Sequence, residues 1–264
     1  MRRGTTCSTL LIGLLPIIAA AGVSYNVTSR ALPGSGAPAV IQYFVERDEV
    51  RVGAADTGRV QLFKDGSIYI IDKSSRSVEV VRNATLARMQ QGLAEQVKKM
   101  EDTASTAPPD QRAVAEKAAT MVKEMYERQR GGTPRDFRVT TRTETAASGP
   151  CRIWEEYEQN VKGAELCVAP TGATTGGEEI LQGMRVLSGY FHGSLFAFGV
   201  EFGPVNVWPQ IESLGGLPVI VREFKDGVAV SETTVTGARH ISDSPGLFEI
   251  PPDYVIKEGA KGAP

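Results

Sequence analysis

The sequence predicts an α+β fold, an antiparallel sheet of about eleven strands packed against helices. Three observations carry this reading. The strand-like runs fall in three blocks with helix runs between the blocks, whereas a parallel βαβ array would alternate them singly. Asp65-Gly66 and Asp226-Gly227 each separate two such runs, a strong hairpin signal because both residues tolerate positive φ. Apolar stripes at helical spacing are confined to three segments.

Met1-Arg2-Arg3, an apolar run from Leu10 to Ile18 and then Ala19-Ala20-Ala21 read as a secretory signal peptide over residues 1–21. Pro16 interrupts the run, which is too short to cross a bilayer. Cleavage is expected after Ala21, though Ala20 would serve, and Cys7 lies too early to be an acylated lipoprotein cysteine. Removing Arg2 and Arg3 takes the formal charge from −2 to −4, since no acidic residue leaves with them. A mildly acidic chain without Lys/Arg runs is a poor partner for nucleic acid or an anionic membrane. Residues 22–38 read as a flexible leader, 39–256 as a single domain and 257–264 as a disordered tail.

Five strands are expected first: 40–47, 49–53, 59–63, 67–72 and 77–82. In the helix that follows, Leu86, Met89, Leu93, Val97 and Met100 form one stripe, expected to lie on the sheet. A second helix starts after Pro108-Pro109 with Asp110 as N-cap and stops at Gly131-Gly132. Strands return at 137–145, 151–158 and 164–169. Thr175 and Glu178 then have capping-box spacing before a broadly apolar helix containing Met184, Leu187, Phe191, Leu195 and Phe198. Strands at 217–224 and 228–240 and a closing element at 248–254 complete the count.

In that order stand Asp48-Glu49-Val50-Arg51-Val52, the Asp65-Gly66 hairpin, Met-rich helices, and Cys151 through Cys167-Val168-Ala169-Pro170. Gly216-Leu217-Pro218-Val219 and Phe248-Glu249-Ile250-Pro251 follow. Over roughly residues 40–256 the chain resembles a secreted proteobacterial family, a domain of unknown function within the outer-membrane lipoprotein carrier (LolA/LolB-like) superfamily. The resemblance implies a curved antiparallel half-barrel whose concave face is closed by helices. It also implies a place there for lipid or acyl chains.

No catalytic constellation is legible. The chain has two histidines, His192 and His240, and no G-x-S-x-G. Ser194 follows His192 by two residues, a spacing that points two helical side chains apart. No H-E-x-x-H, Cys-x-x-Cys or EF-hand spacing suggests a metal, and no phosphate loop suggests a nucleotide. The expectation is a non-enzyme without a cofactor.

Export leaves Cys151 and Cys167, an even number in an oxidising compartment, so a disulfide is expected. A Lys162-Gly163 turn would set the two cysteines far apart. A three-residue loop at Glu158, Gln159 and Asn160 instead pairs Tyr157 with Val161 and places Cys151 directly opposite Cys167. It also sets Trp154 across from Ala164 and Glu156 across from Lys162, with Trp154 on the face opposite Cys151.

The function expected is a periplasmic, non-enzymatic binding or carrier protein for an apolar, lipid or acyl-type ligand. Trp154, Met184, Phe191, Leu195 and Phe198 are the candidate lining. The alternative is an envelope protein-interaction or stress-sensing module on the same scaffold, with a protein partner and no cavity.

Overall fold

The computed structural model describes residues 22–34, 36–54, 58–129, 135–191, 212–242 and 246–258. In chain order the strands are β1 (Gly22–Ala31), β2 (Ala39–Glu46), β3 (Glu49–Ala54), β4 (Arg59–Lys64), β5 (Ser67–Asp72) and β6 (Ser77–Arg82). Helices α1 (Asn83–Thr106) and α2 (Pro109–Gln129) follow. Next come β7 (Arg135–Ala146), β8 (Gly149–Glu158), β9 (Val161–Ala169) and helix α3 (Gly177–Phe191). The last strands are β10 (Leu217–Lys225), β11 (Val228–Ile241) and β12 (Val255–Glu258). All twelve strands join one open, curved sheet in the order β12-β6-β5-β4-β3-β2-β1-β11-β10-β9-β8-β7. The fold is therefore the α+β class that the sequence predicts, in the half-barrel form that the resemblance implies. Curvature is evident in the bidentate pair between Glu144 on β7 and Arg222 on β10. Those strands are three spacings apart, about 14 Å in a flat sheet, a span the two side chains would cross only if both lay fully extended in its plane.

Both Asp-Gly hairpins form as expected, with positive φ at Asp65, Gly66, Asp226 and Gly227. Four expectations are corrected. Residues 22–31 are not a flexible leader but a central strand, hydrogen-bonded to β2 on one side and β11 on the other. This strand raises the count from about eleven to twelve. The closing element shifts: Leu247, Phe248, Ile250 and Tyr254 pack on the sheet in a non-strand segment. The strand follows it as β12, parallel to β6, so residues 257 and 258 are ordered and not part of a loose tail.

The third correction concerns the helical hairpin. Its apolar stripe was expected on the sheet, yet α1 packs chiefly along α2, with Val97, Ala104 and Ala119 buried and β6 the main strand it meets. The fourth is the β8–β9 register. The loop has two residues, Gln159 and Asn160, both with positive φ, so Glu158 pairs with Val161. A bulge after Glu156 then sets Ile153, not Cys151, opposite Cys167, Trp154 opposite Leu166 and Glu156 opposite Ala164. The disulfide nevertheless forms diagonally, with a Cα separation of 5.3 Å.

Helix α3 starts at Gly177, with Glu178 and Glu179 in its first turn, where the positive helix end favours carboxylates. It seats Ile180, Met184 and Leu187 in the main core. Gly183 permits the contact: a Cβ there would stand 2.5 Å from a Val45 methyl.

Candidate ligand-binding face

Strand register sorts the α3 side of the sheet into transverse rows, because residues two apart share a face and paired residues stand side by side. The row beneath α3 is wholly apolar: Val23, Val45, Val50, Phe63, Ile68 and Val81, one from each of β1 to β6. Each of the six is buried. Two residues further along lie Tyr25, Tyr43 and Val52, the tyrosine rings stacked with centroids 5.0 Å apart. Burial pushes both phenols well above their ordinary pKa. The next row holds Val235, Val27 and Ile41. These three, with Ile70, are only partly buried.

Further along the strands the same side turns polar. Val139, Trp154, Leu166, Val221, Thr233 and Ser29 form one row across β7, β8, β9, β10, β11 and β1. Phe137, Glu156, Ala164, Glu223, Ser231 and Ala31 form the next. Ser29 and Thr233 share a hydrogen bond of 2.9 Å, and the Ser231 hydroxyl donates to Glu223 at 2.6 Å. Glu156 is 2% exposed. Arg135 pairs with its Oε1, while Oε2 is buried without a partner. Burial is the main cause that pushes the Glu156 carboxyl upward, and the nearby Glu158 and Glu223 push the same way against Arg135.

The opposite face of these strands carries an ionic ladder. Arg30, Glu232, Arg222, Glu165, Glu155 and Arg138 stand in register across six strands. Glu232 accepts from Arg30 and Arg222, and Glu165 accepts from Arg142 and Lys162. The Lys162 ammonium also lies over the Phe224 ring, 4.2 Å from its centroid. Hydrogen bonds from Lys162 and Arg142 hold the Glu165 carboxyl below its ordinary value despite its burial, and Arg222 does the same for Glu144. Every charge in the ladder has a partner of opposite sign, so its chemistry is cohesive.

Of the expected lining residues, Met184 is buried in the main core at 5% exposure. Trp154 is partly buried in a second cluster with Ala164, Leu166, Val168 and Leu214. Leu181 of α3 touches both clusters, so the helix bridges the two residues without making them one site. The Phe191 side chain, Leu195, Phe198 and His192 lie outside the described residues, as does the signal segment 1–21. His240 is exposed on β11 beside Val23. Among the described residues no group of three or more His, Cys, Asp or Glu side chains is placed to hold a metal ion.

Sequence reasoning missed Tyr25, Val27, Ile41 and the Glu156–Glu223 row. Alternation of Val23, Tyr25 and Val27 with Ser24, Asn26 and Thr28 was a usable signal for the first two. The carboxylate row becomes visible only once the bulges fix the pairing.

No family model matches the chain, and no curated protein matches it. Among solved structures it is similar to an uncharacterised conserved protein from Thermus thermophilus, at 7% identity and a TM-score of 0.43, covering 90% of this chain and 91% of that one. It is also similar to PNGF-II, at 8% identity and a TM-score of 0.38, covering 91% of this chain but 32% of that one. A LolA superfamily protein, NE2245 from Nitrosomonas europaea, matches at 11% identity and a TM-score of 0.27, covering 86% and 88%. The half-barrel itself is established by strand order and register.

Proposed function

We propose that this protein is a non-enzymatic binding or carrier protein of the periplasm that takes an apolar or amphipathic ligand on the α3 side of its sheet. One observation carries the reading: α3 covers the first apolar row, while Val27, Ile41, Ile70 and Val235 continue the apolar surface only half-buried. Partly covered apolar surface beside a packed helix is where a chain-like ligand gains most from leaving water. The disulfide supports an envelope location.

Native mass spectrometry of the protein purified from its own envelope tests this. A co-purifying lipid or acyl species is expected, and it is expected to vanish in Ile41→Asp while circular dichroism shows an intact sheet. A ligand-free wild type, or a ligand retained by Ile41→Asp, counts against the reading.

A second reading, an envelope protein-interaction module, is favoured by β7. This strand lies at the end of the sheet and exposes most of its side chains. An open edge of that kind accepts an extended segment of another chain by backbone pairing. Photo-crosslinking from Thr141 that captures one defined envelope protein, with no lipid found, would make this the better reading.

A further inference from the structure

We propose that the ligand of this face carries a cationic ammonium head, held at the Glu156–Glu223 rim while its chain runs over the apolar rows toward α3. This rests on the apolar-ligand reading above and adds the chemistry of the polar end. Three features of the rim select that head group.

The first is an acceptor without a donor. An ionised carboxylate only accepts hydrogen bonds, and Glu156 keeps one oxygen buried and unpartnered beside the face. Glu223 stands on the other side of Ala164 in the same row, so the two carboxylates flank one position of the sheet. An ammonium brings three donors to such a pair.

The second is charge. Glu156, Glu158 and Glu223 face Arg135 and the exposed Lys225, which leaves the rim net negative. A phosphate or carboxylate head would meet like charge there, and an ammonium would meet its complement. The third is the setting. Phe137 stands beside Glu156 in the same row, and Trp154 stands one row nearer α3. Aromatic faces beside a carboxylate favour a cation over a neutral donor. Along β11 the rim residue Ser231 and the apolar Val235 are four residues apart, about 14 Å, so one extended chain spans both regions.

Isothermal titration of the signal-free protein with dodecylammonium, dodecanol and dodecanoate, all below their micellar concentrations, tests the proposal. The ammonium is expected to bind about tenfold more tightly than the alcohol, and the carboxylate more weakly than either. In Glu156→Gln the ammonium should fall to the affinity of the alcohol, which itself stays unchanged. Glu223→Gln, at a half-buried position, should reduce the same preference and serves if Glu156→Gln fails to fold. Equal binding of all three, tighter binding of dodecanoate, or a preference that survives both substitutions would overturn the ammonium head and leave an apolar site standing. If not even dodecanol binds, the apolar-ligand reading falls and this inference falls with it.

Discussion

Glu156 and Glu165 sit on neighbouring strands, point to opposite faces and are both nearly buried, at 2% and 8% exposure. Their surroundings drive them in opposite directions. Lys162 and Arg142 hold Glu165 low, so the folded protein binds fewer protons there than the unfolded chain. Its contribution to stability is complete above the ordinary glutamate value of about 4.3 and is lost as pH falls through the lower folded value. Burial holds Glu156 high, so the folded protein binds more protons at that site, and stability declines as pH rises from about 4.3 through the raised folded value. Urea midpoints between about pH 3 and 7 should therefore separate the two glutamine variants. Glu165→Gln is expected to be less stable than wild type at neutral pH and to converge with it in acid. Glu156→Gln is expected to match or exceed wild type at neutral pH and to lose the advantage in acid. Two variants with the same pH slope would contradict the assignment. The two glutamates also mark what the sequence could reveal at this scale. Alternation alone puts Trp154 and Cys151 on different faces, and compartment chemistry pairs the cysteines. That Glu156 faces Ala164, with Glu223 beyond, depends on bulges after Glu156 and near Val219, which residue type does not dictate.

Among the elements, α3 depends on close approach. Gly183→Ala would raise helix propensity by about 1 kcal/mol, yet the new methyl would meet Val45 at 2.5 Å. Overpacking of a core usually costs about 1–3 kcal/mol, so a net loss of stability is expected in chemical denaturation. A net gain would mean that α3 sits more loosely than this. The segment before β12 is anchored differently. Phe248 is 7% exposed against Val60, Leu62, Ile71, Val78 and Val80, and Arg51 and Lys64 donate to the carbonyls of Leu247 and Phe248. Phe248→Ala should cost about 3–5 kcal/mol and speed hydrogen exchange along β6, whose edge the following strand covers. Helices α1 and α2, and the strands on either side of each Asp-Gly pair, were legible because their periods and turn residues are strong. β1 was legible residue by residue, but the Gly/Pro-rich stretch just after it dominates the composition of residues 22–38. The four residues of β12 are all exposed, so no apolar pattern announces them.

Seen whole, the sheet has two halves. β1 to β6 and β12 form one, β7 to β11 form the other, and among the described strands they join through the pairing of β1 with β11. Deleting residues 22–31 should therefore abolish cooperative unfolding, because it removes part of the row under α3 together with the strand that pairs with both halves. A sharp transition in that truncated protein would show that each half stands alone. The join also has a temporal meaning. Its partners, such as Val27 and Val235, are separated by nearly the whole domain. Loop closure of that length comes late and slowly, as in other proteins dominated by non-local pairing. A ribosome must finish β11 before the first strand has a neighbour on its second side. Throughout synthesis the chain is thus kept from its final shape by its own wiring, an interval in which it can still be threaded as an extended polymer.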